Sequence, residues 1–250
     1  MKGGELVPVS PSTINRELAC LKTIFNKAVE WGKLESNPIV RVKKFKEPPS
    51  KDRILSSEEV RRLLDTAKPH LRPILIVLLN TGMRKNEALG LRWENVDFRK
   101  GFIYVGAQDS KSGKSRTIPM SSDILFETLE SLRAGAKSEF VFTNPETEKK
   151  YRDITTSFKT ACDEAEIDGV TLHTLRHTAG WRMVEAGADL VTVSKILGHS
   201  TIQMTMRYCH PTPENLKLAV KRLGDFITRQ GQKGDTVTIP KPVTDVKNYL

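Results

Sequence analysis

The chain has 250 residues, 38% hydrophobic and 28% charged, which is a globular mixture sufficient for one ordinary domain and a smaller appendage. Lys and Arg outnumber Asp and Glu by 40 to 30, and the formal charge of +10 favours a polyanionic partner, although a basic protein without one fits the charge equally well. Cys20, Cys162 and Cys209 are too few and too dispersed for a disulfide framework or zinc knuckle, and no apolar run resembles an export signal or membrane span, so a reducing cytoplasm without membrane attachment is expected.

Residues 1–9 read as a loose lead-in. Ser10 then offers an N-cap with Pro11 at the first helical position. Ile14, Leu18, Leu21, Phe25 and Ala28 recur at helical spacing, and Gly32 is a stop. Asn37-Pro38 turns the chain. Residues 41–53 carry Arg41, Lys43, Lys44, Lys46, Lys51 and Arg53 around Pro48-Pro49. Such a stretch buries little and reads as an extended basic linker, well placed to lie on DNA. A second region starts at Ser56-Ser57-Glu58-Glu59, where acids complement a helix dipole, and Val60, Leu63, Leu64 and Ala67 give it an apolar face. Leu71 to Leu79 reads as a buried helix ending at Thr81-Gly82. After Trp93 the strings FRKGFIYVG and SRTIPM read as short strands joined by the polar turn QDSKSGK. Helices return near 122–133, 154–166, 173–187, 190–198, 201–208 and 213–227. The expected fold class is mainly α with a small antiparallel β-sheet. The expected organisation is a helical segment and basic linker over 1–48, a main domain over 54–228, and a flexible tail over 229–250, where Gly, Pro, Asp and Lys mix without helical period.

Six residues invite chemistry: Arg84, Lys111, His173, Arg176, His199 and Tyr208. Arg84 stands just past Gly82, where an unpaired buried charge is costly, and Glu87 three residues on reads first as its ion-pair partner. His173, Arg176 and His177 share one helical face. Two histidines at i and i+4 raise zinc, but Thr174 stands where a metalloprotease needs Glu, and Arg176 between them repels a cation; no metal is expected. A His-Arg-His face suits an anion, with a permanent planar fork and a group that titrates near neutrality. His199 follows Gly198, and Tyr208 lies nine residues later; a lone Tyr is usually a core residue, and its company with cations makes it a candidate nucleophile. Lys111 sits in the hairpin turn SKSGKSR, where Lys114 and Arg116 are alternatives for the same work and are grouped with Arg41, Lys43, Lys44 and Lys46 as DNA-contacting. The G-K-S at 113–115 is no P-loop, because Gln108 stands where the first Gly belongs and a strand follows.

The ordered strings TGMRKNEALGLRW, SKSGKSRTIPM, HTLRHTAG, LGHS and MRY resemble the tyrosine recombinase (phage integrase) family over about residues 54–225, with a weaker match over 10–50. The resemblance implies that Arg84 and Arg176 bind the scissile phosphate and that Tyr208 is the nucleophile. It makes Lys111 the general acid on the 5′ oxygen, His173 the relay for the Tyr208 proton, and His199 a hydrogen-bond donor to phosphate, with Glu87 and His177 in support. It further implies a catalytic domain over 54–228, no cofactor, double-stranded DNA as partner, four protomers on two duplexes, and integration or excision of a mobile element. A topoisomerase of type IB and a catalytically silent DNA-binding accessory protein are the rivals. The family's amino-terminal clamp is usually a four-helix bundle, whereas residues 1–50 have room for about two helices, so a fragment or an abbreviated form is expected.

Overall fold

The structure, a computed structural model, describes residues 8–47, 53–108, 113–144, 147–209 and 213–231. The chain divides into two compact units, Met1–Asp52 and Arg53–Leu250.

The first unit contains α1 (Pro11–Glu30), capped by the Ser10 side chain with Pro11 opening the helix. Among the described residues it is the one helix of this unit, where the sequence had room for about two. Residues 41–47 are not a free linker. Buried Asn15 donates its amide to Phe45 O (2.9 Å) and Glu47 Oε1 (2.7 Å) and accepts from Phe45 N (2.8 Å), while Lys22 Nζ holds Val42 O at 2.7 Å. A polar residue inside a helical repeat thus straps the basic stretch along α1, where the sequence pattern gave it no partner. Of the tail expected over 229–250, residues 229–231 still belong to the last helix, and residues 232–250, like 48–52, lie outside the described residues.

The second unit begins at α2 (Ser57–Thr66), where Ser56 and Glu59 form a reciprocal capping box. Next is α3 (Arg72–Thr81), ended by Gly82 in the left-handed conformation, and then α4 (Lys85–Leu89). A 3₁₀ turn, Trp93–Asn95, leads into an antiparallel sheet of β1 (Val96–Asp97), β2 (Phe102–Val105) and β3 (Arg116–Pro119), in that order, with Ile103 paired to both Val96 and Ile118. The two-residue strand β1 is too short to leave a period in the sequence. Among the described residues six helices follow: α5 (Asp123–Ala134), α6 (Thr155–Glu164), α7 (Leu172–Glu185), α8 (Leu190–Leu197), α9 (Gln203–Met206) and α10 (Pro213–Gly231). The helix expected over 201–208 is a single α-turn, because Thr205 N, Tyr208 N and Cys209 N each bond a carbonyl three residues back, the tighter pattern of a helix end.

α3 is apolar all round and sits at the centre, packed against α5 and α7. Ile74, Leu75 and Leu78 are buried with Leu125, Leu129 and Leu175. β3 and α7 both touch α8, so sheet, central helices and α8 converge on one corner. There Val193, Leu197 and Tyr208 form a second small core under Trp181 and Val184. α10 is amphipathic with its apolar residues open: Leu216, Val220, Leu223, Phe226 and Ile227 are each more than half exposed. Among the described residues no helix is long and apolar enough to cross a membrane.

Leu75 has no solvent exposure. Leu75→Ala should cost about 2–5 kcal/mol, since the surrounding helices cannot fully close over the lost methyl groups. A urea midpoint for the second unit that barely moves would show that α3 is not its central beam.

Candidate active site

The last carbonyls of a helix have no intrahelical donor and carry the negative end of its dipole. At the end of α8 three arginines take three consecutive carbonyls. Arg116 Nε, from β3, donates to Ile196 O at 2.9 Å. Arg176 Nη2, from α7, donates to Leu197 O at 2.6 Å. Arg84 Nη2, from the residue before α4, donates to Gly198 O at 3.3 Å. Arg176 also reaches Gly82 O at 2.7 Å through Nη1, tying the end of α3 to the end of α8. Both stop glycines have positive φ, +63° and +67°, and neither has room for a side chain. A Cβ at Gly82 would lie 2.3 Å from Leu197, and one at Gly198 would lie 2.8 Å from Arg116 Cδ.

Among the described residues one carboxylate faces this cluster. Glu87 is almost fully buried and accepts from Arg84 N and Nη1, both at 2.8 Å, and from Arg116 Nη2 at 2.5 Å and Nη1 at 3.2 Å. Burial alone would raise the Glu87 carboxyl, but Arg116 and Arg84 outweigh it and hold it below the ordinary glutamate value. Burial first, and then the neighbouring Arg84 charge, press Arg176 down to about 10. Three guanidinium groups against one carboxylate leave a surplus of two positive charges in a low-dielectric corner. Such a surplus is a receptor for an anion.

The phenol of Tyr208 lies beside it, with the residue only 3% exposed. Its ring rests on Gly180 of α7, where a Cβ would approach the ring to 2.7 Å, and stacks on His199 at 6.2 Å between centroids. Tyr208 Oη is 2.9 Å from His177 Nδ1. The resemblance gives the proton relay to His173; His177 Nδ1 is the ring nitrogen in contact with this hydroxyl. Residues 173, 177 and 180 share one face of α7, but the ring seated at Gly180 covers the near turn, and His173 lies about 6 Å further along the axis. His173 meets His177 edge to face at 4.5 Å. His199 Nδ1 is 2.8 Å from Thr205 Oγ1. Burial first, then the Arg176 and Arg84 charges, push the His199 pKa from the ordinary 6.5 to about 4, so the ring is neutral near neutral pH.

Arg84, Glu87, His173, Arg176, His177, His199 and Tyr208 therefore gather at one corner. Two hollows flank it: one of about 420 Å³ lined by Arg84, His173 and Arg176 with Lys85 and Lys159, the other of about 440 Å³ lined by His199, Lys114 and Lys195. A third hollow, about 570 Å³ around His70 and Phe140, holds none of the candidate residues. Lys111 lies outside the described residues. Lys114 is exposed, as are Arg41, Lys43, Lys44 and Lys46 in the first unit. Arg116 departs from expectation. Its side chain is 6% exposed and its fork is committed to Glu87 and Ile196 O, so it braces the cluster. Thr205 and Gly180 escaped sequence reasoning; their only trace was small residues at odds with their apolar neighbours in MTMRY and HTAGW.

Residues 53–215 match the model of the phage integrase family. The integrase of Haemophilus phage HP1 is 34% identical over 222 residues, 86% of this chain and 60% of the relative. The shufflon-specific DNA recombinase of Escherichia coli is 33% identical over 245 residues, 94% of this chain and 59% of the relative. The tyrosine recombinase XerD of Listeria innocua is 30% identical, with 85% and 76% covered. The chain spans about three fifths of the length of the first two. Among solved structures, the Tn1549 transposon integrase in complex with transposon right end DNA superposes with a TM-score of 0.75 at 21% identity, covering 86% of this chain and 80% of that one. A lambda integrase tetramer bound to a Holliday junction gives 0.68 at 18% identity, with 80% and 60% covered. These two likenesses show the fold.

Glu87→Ala would leave the buried Arg116 and the partly buried Arg84 without a counter-ion and should cost about 3–5 kcal/mol in denaturant unfolding; a change near zero would mean the cluster holds without it. The histidine gives a pH signature. Between pH 6.5 and 4 the unfolded chain binds a proton at residue 199 that the folded chain refuses. This contribution is complete above pH 6.5 and is lost as pH falls toward 4. His199→Gln should flatten that part of the stability profile, and an unchanged slope would assign it elsewhere.

Proposed function

The chain belongs to the phage integrase family, the tyrosine recombinases, and from that premise we propose that it is a site-specific DNA strand transferase that cuts and rejoins duplex DNA through a covalent 3′-phosphotyrosine. The observation that carries this reading is a buried phenol beside three arginines and a single carboxylate, a charge surplus matched to a phosphodiester approaching its transition state.

In this reading the scissile phosphate takes its place on the free edges of Arg84 and Arg176, whose forks neutralise the non-bridging oxygens as charge builds there. Tyr208 Oη attacks phosphorus in line, and its proton passes to His177 Nδ1, the base in contact with it. The bond from phosphorus to the 5′ oxygen breaks, and Lys111, outside the described residues, protonates that oxygen. His199 donates a hydrogen bond to a phosphate oxygen, and His173 orders the His177 ring edge to face. Phosphotyrosine retains the ester energy, so the 5′-hydroxyl of a second strand reverses the step without ATP. The exposed lysines Lys159, Lys114 and Lys195 of the flanking hollows carry neighbouring phosphates.

The biological role in this reading is integration or excision of a mobile element, supported by the integrase names of the phage relatives. The working assembly is a tetramer on two duplexes, supported by the lambda integrase tetramer on a Holliday junction and by the open apolar stripe of α10, which has the pattern of a helix that packs on a neighbouring protomer.

On a nicked, end-labelled duplex bearing the cognate site, wild type should yield a denaturation-resistant protein–DNA adduct. Tyr208→Phe should yield none, and Arg176→Lys should lose at least about a hundredfold in adduct rate, because a point charge cannot reproduce the bidentate fork. An adduct that persists in Tyr208→Phe would refute the assignment. Relaxation of any plasmid, with no exchange between two sites, would turn the reading toward a topoisomerase.

A further inference from the structure

Thr205 has no solvent exposure, and its hydroxyl oxygen lies 2.8 Å from Nδ1 of His199. A hydroxyl brings one hydrogen and two lone pairs. An idle buried lone pair costs little, but a buried hydrogen without an acceptor forfeits most of a hydrogen bond. Among the described residues the acceptor in contact with this hydroxyl is the imidazole nitrogen. If the imidazole were the donor, the threonine hydrogen would be the buried group left over. Direction therefore follows from burial.

We infer that Thr205 donates its hydroxyl hydrogen to Nδ1 of His199 and so fixes the imidazole as the tautomer whose proton sits on Nε2. The inference rests on the proposed phosphate contact of His199 and deepens it. Because the ring is held neutral, it has one N–H to offer, and the choice of nitrogen decides whether it can serve an anion. With Nδ1 occupied, the far edge of the ring presents a donor. The opposite tautomer would present a lone pair to a phosphate oxygen and repel it. Thr205 is thus a positioning residue acting through His199.

Its location links two parts of the site. Thr205 belongs to α9, and its carbonyl accepts the Tyr208 N–H at 3.0 Å. The turn that seats the phenol on Gly180 also sets the histidine proton. Thr205 thus ties the seat of the nucleophile to the orientation of the phosphate donor within one turn.

The test is nitrogen NMR of the full chain labelled at histidine, recorded above pH 6.5, where the ring is neutral. Comparison with His199→Gln assigns the signal among five histidines. Wild type should show the Nε2–H tautomer. Thr205→Val should invert the major population toward Nδ1–H, and Thr205→Ser should restore it. An Nδ1–H tautomer in wild type would overturn the inference, as would a Thr205→Val ring indistinguishable from wild type. If the valine variant does not fold, the wild-type tautomer decides alone. None of these readings depends on DNA, so their failure leaves the Tyr208 adduct standing, and a missing adduct leaves the tautomer measurement standing.

Discussion

Everything at this site hangs on the carbonyl end of α8. Three guanidinium groups close together repel one another strongly once removed from water, and no chain gathers them without something that holds each one. Ile196, Leu197 and Gly198 do so through consecutive backbone oxygens, each accepting one arginine, while Glu87 clamps two of the three from the other side. A backbone oxygen is a useful ligand here because it attracts the cation without cancelling its charge. The cluster is held together and remains electropositive, which side-chain carboxylates alone could not achieve.

The scaffold follows from that requirement. Arg176 reaches α8 only because α3 and α7 pack tightly enough for its other nitrogen to find Gly82 O. Gly82 and Gly198 end their helices in left-handed turns, which turn the chain sharply and keep the space that Leu197 and Arg116 fill. The sheet contributes Arg116 as a brace from β3. A planar fork with five donors suits every one of these positions, and a lysine could satisfy none of the paired contacts.

The same field shapes the other groups. Concentrated positive charge in a half-buried corner makes a second cation expensive, so His199 remains neutral and Arg176 holds its proton less tightly than a free arginine. A site already charged and oriented before an anion arrives needs little reorganisation as negative charge develops, which is where electrostatic catalysis gains most. The phenol is stored in this environment, seated against a bare stretch of helix at Gly180 and bonded to His177.

Much of this was legible in the residue order. Caps at Ser10 and Ser56, the stop at Gly82, the apolar run of α3 and the short strands β2 and β3 are set by neighbours within a few positions, so sequence alone located those elements and the Arg84–Glu87 pair. The motif order likewise delivered the family and the gathering of Arg84, Arg176, His199 and Tyr208. Tertiary structure decided the rest. Arg116 and Glu87 are 29 positions apart and Asn15 and Phe45 are 30 apart, separations at which no periodicity survives. His173 and His177 present the same helical face, and the seat of the Tyr208 ring at Gly180 sets where the phenol meets it, beside His177. Helical period fixes which side of an element a residue faces; what meets it there depends on how distant segments pack, and that information lies in no local window of the chain.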